Sequence, residues 1–265
     1  MEQVQHTMYI YNNKKIDIMI KRNYYKVVRV FPDPSSYFYI KNETMNSGDI
    51  SIYNEQWLST VNLEYSFDKI NWTPITSYLL LKVPADGYVY FRNTSGTFCT
   101  SNYKGVIVPF LKISIGGDVR TLFNYTDVDS VTAIPNYGFS QPIGNGNRME
   151  IVDISNLSFR GITSIGAYGL YQAFYNNNSN YTKGVDLRDV TTLGEEALNM
   201  LYYGCSNLTE VYAPNVSTWD ISKTSSWLGS VAPNGVVYKP STLDIPTNND
   251  SGIPSGWTTQ DYPTI

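Results

Sequence analysis

One histidine and two cysteines in 265 residues leave this chain little from which to build a metal centre or a nucleophilic site. A structural zinc site needs a tetrahedral set of Cys and His ligands, and His6, Cys99 and Cys205 do not supply one. A Ser-His-acid or Cys-His site would have to use His6, which no neighbouring pattern orients. Two cysteines so far apart make no disulfide framework and read as small buried apolar residues. Charge is scarce too. Asp, Glu, Lys and Arg make up 16% of the chain, where about a quarter is ordinary. The net charge is −4, and the densest basic stretch is Lys21, Arg22 and Lys26. A duplex binder needs a positive footprint to displace counterions, so nucleic acid is not an expected partner. No apolar run approaches the ~20 residues that span a bilayer, so no membrane insertion is expected. Residues 1–20 lack the apolar core of a secretory leader, with Asn12, Lys14 and Asp17 interrupting them. The expectation is that the chain is not exported by the usual route.

Polarity comes instead from Asn, Ser, Thr and 23 tyrosines. Tyr and Thr suit strands, and Asn and Gly suit turns. Short β-branched and aromatic runs at 15–20, 24–30, 37–40 and 49–53 read as strands, with a turn at Pro32-Asp33-Pro34-Ser35. The cleanest alternation sets Val61, Leu63, Tyr65 and Phe67 on one face against Asn62, Glu64, Ser66 and Asp68 on the other. A turn at Asp68-Lys69-Ile70-Asn71 leads into Trp72. Further strands are expected at 88–92 and 106–115, closing at Gly116-Gly117. Strands spaced like this without helical periodicity suggest an antiparallel sandwich.

Beyond about residue 118 a weak self-similarity appears. Ile151-Val152-Asp153-Ile154-Ser155-Asn156-Leu157 resembles Gly184-Val185-Asp186-Leu187-Arg188-Asp189-Val190. Both resemble Glu210-Val211-Tyr212-Ala213-Pro214-Asn215-Val216. Each reads as a short strand and a corner, recurring after about 26 to 33 residues. Between them, residues 165–175 and 193–203 carry apolar residues at helix-like intervals, such as Ala197, Leu198 and Leu201. Asn176-Asn177-Asn178 and Gly204-Cys205-Ser206-Asn207 close these stretches. One such unit cannot bury its own apolar side, so neighbours must stack and the ends be capped. Ile245, Ile253 and Trp257 in the Pro- and Asn-rich tail would cover one end. An irregular α+β domain with chance similarity is the alternative.

Candidate chemistry is sparse. Asp127-Val128-Asp129 and Asn248-Asn249-Asp250 offer oxygen ligands but do not match a calcium hand. Turn residues of this kind usually bond their own backbone. Gly144-Asn145-Gly146-Asn147-Arg148 lacks the ending of a phosphate loop and reads as a turn. A glycan depolymerase needs two acids across a cleft. Glu195 and Glu196 are adjacent and would diverge on a helix. Asp153 and Asp186 hold equivalent positions in successive units, where stacking could raise a pKa, though such ladder positions are commonly solvated. Tyr168, Tyr171, Tyr175, Tyr181, Tyr202, Tyr203 and Tyr212 could stack on sugar faces, although period-matched aromatics are usually core. No residue is assigned a catalytic, cofactor-binding or metal-ligating role, no cofactor is expected, and no ligand-binding residue is assigned.

Several stretches resemble a known combination. Leu63-Glu64-Tyr65-Ser66-Phe67-Asp68 with Asn71-Trp72-Thr73-Pro74, then Val89-Tyr90-Phe91-Arg92, resembles a small β domain. Ile115-Gly116-Gly117-Asp118-Val119-Arg120-Thr121-Leu122 resembles the segment that follows it. The run from Tyr203-Gly204-Cys205-Ser206-Asn207-Leu208-Thr209 through Glu210-Val211-Tyr212-Ala213-Pro214-Asn215-Val216 to Trp219-Asp220 is similar to BspA-like leucine-rich repeats. Residues 232–262 are similar to the closing segment of such chains. The resemblance covers roughly 50–265 and is most specific in the last third. It implies a surface protein of gut Bacteroidetes, or a virion protein of the phages that infect them, crAss-like phages included. Bacterial adhesins of this type carry leaders and many repeats, which this sequence lacks, so the phage reading is preferred.

The expectation is thus a mainly β, non-enzymatic chain with some helix. Residues 1–45 hold N-terminal strands that either dock on a partner or begin the sandwich. Residues 46–117 form an antiparallel β-sandwich-like domain that includes part of 1–45; 118–240 form a short leucine-rich-repeat solenoid; 241–265 form a C-terminal cap. The expected role is a head fibre or capsid decoration at the virion surface, assembled in the host cytoplasm. Its expected partners are capsid or tail proteins, its own copies in a homo-oligomer, and a host surface glycan. A bacterial adhesin and a glycan depolymerase are the alternatives.

Overall fold

Alternation of apolar and polar residues builds the first half of the chain. The computed structural model describes residues 6–11, 14–19, 37–52, 62–76, 78–94, 98–99, 107–143, 150–175, 180–247 and 251–263. The chain divides into two units, Met1–Phe31 and Pro32–Ile265. In the first, β1 (His6–Tyr11) and β2 (Lys14–Met19) pair as an antiparallel hairpin. The expected strand at 24–30, the turn at 32–35, the 144–148 loop and the Asn248-Asn249-Asp250 group lie outside the described residues.

The second unit begins with eight strands. They are β3 (Phe38–Asn42), β4 (Gly48–Ile52), β5 (Leu63–Ser66), β6 (Thr73–Pro74), β7 (Leu79–Val83), β8 (Tyr88–Asn93), β9 (Ile107–Pro109) and β10 (Lys112–Asp118). Ten more elements follow: helix α1 (Thr121–Asn124), a 3-10 turn at Val128–Ser130, β11 (Ala133–Ile134), β12 (Glu150–Ser158), β13 (Ser164–Ile165), β14 (Lys183–Asp186), β15 (Thr192–Leu193), β16 (Glu210–Tyr212), β17 (Gly235–Lys239) and β18 (Trp257–Asp261). The protein is therefore mainly β, with several sheets and almost no helix.

A six-stranded sheet runs β12-β10-β3-β8-β5-β6, and a three-stranded antiparallel sheet runs β7-β4-β9. Period two decides their faces. Phe38 and Ile40 of β3, and Val89 and Phe91 of β8, are buried, while Tyr39, Lys41, Tyr90 and Arg92 face the other way. Ile50, Ile52, Leu81, Val83 and Ile107 of the smaller sheet join the same core. The expected alternation holds for Leu63 and Tyr65, which pair with Asn93 and Phe91. It ends sooner than expected: Phe67 lies past the strand and is 45% exposed. There the Ser66 hydroxyl accepts from the Asp68 and Lys69 amides and starts a turn.

Parallel pairing starts at β10. Gly117 has φ +86°, and a Cβ there would stand 2.1 Å from the Tyr37 carbonyl oxygen, so only glycine fits. The boundary expected after residue 117 falls inside β10, whose parallel partner β12 belongs to the later sequence. Two parallel sheets follow, β11-β13-β15 and β14-β16-β17-β18. Threonines tie them in sequence. The Thr163 and Ser164 amides donate to Thr132 O, those of Thr191 and Thr192 to Thr163 O, and those of Thr209 and Glu210 to Thr182 O.

The stretches 165–175 and 193–203 are not helical, contrary to the spacing of their apolar residues. In the first, the amides of Gly169, Tyr171, Ala173 and Tyr175 bond three residues back. The amides between them, of Tyr168, Leu170, Gln172 and Phe174, donate to Glu195, Ala197, Asn199 and Leu201 of the second stretch. The second stretch repeats this pattern toward Ser222, Lys223, Ser225 and Trp227. The result is a ribbon of overlapping turns, hydrogen-bonded to its neighbour like a strand. Positive φ recurs every fourth residue, at Tyr168 and Gln172, then Glu196 and Met200. A four-residue advance lies so near the helical 3.6 that both bury Ala197, Leu198 and Leu201 on one side.

The core continues from the antiparallel into the parallel part. Phe139 touches Phe38, Phe98, Phe159 and Phe174, with ring centroids 5.8–6.5 Å apart, and Phe174 stacks on Tyr202. At the C-terminal end, the indoles of Trp219, Trp227 and Trp257 donate to Ser251, Gly252 and Ala232 carbonyls, and Ile245 and Ile253 are buried.

Candidate binding surface

The sheet β14-β16-β17-β18 turns one row of residues inward, including Val211 and Val237, and two rows outward. Its register places Asp186, Tyr212, Tyr238 and Gln260 side by side, and beside them Lys183, Glu210, Val236 and Thr258. Neighbouring strands stand about 4.8 Å apart. The Tyr212 and Tyr238 rings match that step, with centroids 4.8 Å apart and planes 20° apart.

Cations border these rings. Lys183 Nζ lies 4.7 Å above the Tyr212 ring and 2.7 Å from the Glu210 carboxylate. The Arg188 guanidinium lies 5.0 Å from the Tyr212 ring and 5.9 Å from Tyr262, and grips Asp186 through Nε and Nη2 at 3.0 and 2.6 Å. Tyr262 donates its hydroxyl to Ala213 O at 2.7 Å. Burial pushes the Tyr262 phenol up, helped by the charge of Asp186 and opposed by Arg188. Burial also raises Tyr212, whereas the bond to Asp186 raises Arg188. The Tyr212 and Tyr262 phenols therefore stay protonated near neutrality. Each carboxylate on this face is engaged by a cation, Asp186 by Arg188 and Glu210 by Lys183. Flat rings, donors and acceptors on a rigid strand ladder suit recognition of a polar ligand.

The tyrosines singled out from the sequence divide three ways. Tyr212 belongs to this ladder but is itself buried, beneath Lys183 and Arg188. Tyr181 and Tyr202 are core: the Val185 amide donates to the Tyr202 hydroxyl at 2.8 Å, and the Tyr181 hydroxyl lies 3.0 Å from Cys205 Sγ. Tyr168, Tyr171, Tyr175 and Tyr203 are half-buried on the turn ribbons, where Tyr168 stacks on Tyr137 and Tyr203 on Tyr175. Tyr238, Tyr262, Lys183 and Arg188 were not singled out. Val236-Val237-Tyr238 repeats the pattern of Glu210-Val211-Tyr212, and that signal would have found Tyr238.

The acids are not brought together as a reacting pair. Asp153 accepts from the Ser155 amide and hydroxyl, while Asp186 is held by Arg188. Glu195 and Glu196 do line one open concavity of about 620 Å³ with Asn199, Ile221, Ser222 and Ser225. There the Glu196 carboxylate accepts from the Asn199 side-chain Nδ2 at 2.7 Å. Asp129 is 97% exposed on its side chain and lies 3.4 Å from Arg120. Among the described residues, no group of three or more His, Cys, Asp or Glu is placed to hold a metal ion. Cys99 and Cys205 are buried, and burial pushes the Cys99 thiol up. Among the described residues no helix is long and apolar enough to cross a membrane. Protein-family models, curated proteins and solved structures give no match to this chain.

Proposed function

We propose that this chain is a structural protein of a bacteriophage virion, a head fibre or capsid decoration that displays a binding face. In this reading a sandwich-like domain carries a short solenoid of BspA-like leucine-rich repeats, the tail from residue 241 caps it, and residues 1–45 hold the docking segment. The observation that carries the reading is the recurrence of one bonding unit. The threonine pairs repeat after 27–31 residues and the turn ribbons after 25–30, each bonded to the unit before it. Such units are stable only when stacked. Residues 203–220 add the resemblance to BspA-like leucine-rich repeats, and residues 232–262 the resemblance to the closing segment of such chains. The outer face of the β14-β16-β17-β18 sheet around Tyr238 and Gln260 is the surface that would meet a host glycan. Virion fibres sit on symmetric platforms and gain avidity from repetition, so a homo-oligomer is expected.

Mass spectrometry of purified virions, with antibody labelling of the particles, tests this. The expected result is stoichiometric presence at the particle surface. Absence from particles, with recovery in a bacterial outer-surface fraction, would give the role to an adhesin instead.

A further inference from the structure

The six-stranded sheet has a second aromatic face, far from the ladder in sequence. Its outward rows follow from the register. Asn156, Gly116, Tyr39, Tyr90 and Ser66 lie across five strands, and Asp153, Ser114, Lys41 and Tyr88 lie alongside. Gly116 decides the shape of this surface. A Cβ there would meet the Tyr39 hydroxyl at 2.3 Å and its Cζ at 2.4 Å. The far end of the Tyr39 ring thus lies down over the neighbouring strand, where any side chain would lift it. Tyr88 and Tyr90 stand across it, at 72° and 69° to its plane with centroids 5.3 and 6.1 Å away, and are parallel to each other within 6°. The three rings make a floor and a wall.

The rim is polar and fixed. Lys69 Nζ sits 4.5 Å from the Tyr90 centroid. Its turn is held by Asp68, whose carboxylate accepts from the Ile70 and Asn71 amides at 2.8 Å and from the Asn71 side chain at 2.7 Å. Asn156 hydrogen-bonds the Tyr39 hydroxyl, Asp153 lies near it, and burial pushes the phenol up to about 12. Lys41 is neutralised by Glu43 at 2.8 Å. Tyr88 is 38% exposed.

We infer that this corner is a saccharide-binding site, with a pyranose face stacked on the Tyr88 wall, its edge resting on the Tyr39 floor and its hydroxyls meeting Lys69, Asn156 and Asp153. The chemistry of the surface selects that occupant. Ring faces carry negative potential that attracts the C–H bonds of a sugar face. A nucleic acid strand would meet Asp153 and Glu43 without a basic track. An apolar protein segment would strand the rim groups without partners. The inference does not depend on the virion assignment, because it concerns the purified chain alone.

The test uses the full chain on an array of immobilised α- and β-linked gluco-, manno- and galacto-oligosaccharides, followed by calorimetric titration of the best binder. Binding by the native chain is expected. Tyr88→Ala should weaken it at least about tenfold, as loss of one stacked ring does, while Tyr88→Phe should bind within about threefold of native. Gly116→Ala should weaken binding as Tyr88→Ala does. Tyr88 is exposed, so Tyr88→Ala keeps the test open even where a Gly116 variant fails to fold. Three results overturn the inference: no binding to any member of the array, undiminished binding by Tyr88→Ala, or a loss produced by Tyr238→Ala and not by Tyr88→Ala.

Discussion

Asp118 and Arg120 make the same contact as Asp186 and Arg188, yet the two pairs differ in worth. In each, the guanidinium Nε and Nη2 grip a carboxylate two residues earlier, at 2.7–3.1 Å and 2.6–3.0 Å. The first pair is 3% and 8% exposed, the second 44% and 24%. Removing one partner of a buried pair leaves an uncompensated charge and costs about 3–5 kcal/mol, whereas an exposed pair is worth about 0–1 kcal/mol. Asp118→Asn should therefore lower the urea midpoint sharply and Asp186→Asn hardly at all; equal losses would break the argument. Asp68 supplies the pH counterpart. Four hydrogen bonds hold its carboxylate below the ordinary carboxylate range, led by the Asn71 and Ile70 amides. The stability it contributes is present above the unfolded value of about 3.9 and is lost as pH falls through the lower folded value. The stability gap between native and Asp68→Asn proteins should thus persist at pH 5 and narrow on strong acidification. A gap that widens with acid would be the wrong sign.

The turn ribbons carry their own demands at the scale of the element. A Cβ on Gly194 would stand 2.4 Å from the Ala167 amide nitrogen, against backbone that cannot give way. Gly194→Ala should cost at least about 2 kcal/mol, as forced overpacking does. Ser226, at φ +53°, bears the opposite burden. A left-handed conformation costs an L-residue about 1–2 kcal/mol, part of which glycine returns as unfolded-state entropy. Ser226→Gly should gain up to about 1 kcal/mol in chemical denaturation. These ribbons also mark where sequence reading stops. Val89 and Phe91 were legible because strand alternation is local, and Ala197 and Leu198 were legible as buried. Their backbone was not, because a four-residue turn repeat and a helix bury the same positions. The Tyr39 floor was illegible for another reason. It exists only because Gly116, 77 residues later in the chain, lies on the adjoining strand. The Tyr212 ladder was half legible, since one ring stood in a recognised repeat and its partner Tyr238 did not.

At the scale of the whole molecule, two architectures share one interior. Sequence similarity divides the chain near residue 117, but β10 pairs antiparallel with β3 and parallel with β12, so one sheet holds both sides of that line. Phe139, fully buried, packs against Phe38 and Phe98 on one side and Phe159 and Phe174 on the other. Stacked repeats can unfold piecewise when each contacts only its neighbour; a shared aromatic junction opposes that. Phe139→Ala should cost about 3–5 kcal/mol and act on both parts together. Hydrogen exchange followed by mass spectrometry reads this directly. Peptides covering β8 and peptides covering residues 197–212 should open with the same free energy in the native protein and lose the same amount in the variant. If only one set loses protection, the two parts are coupled through the chain and not through the core, and the shared interior contributes no cooperativity.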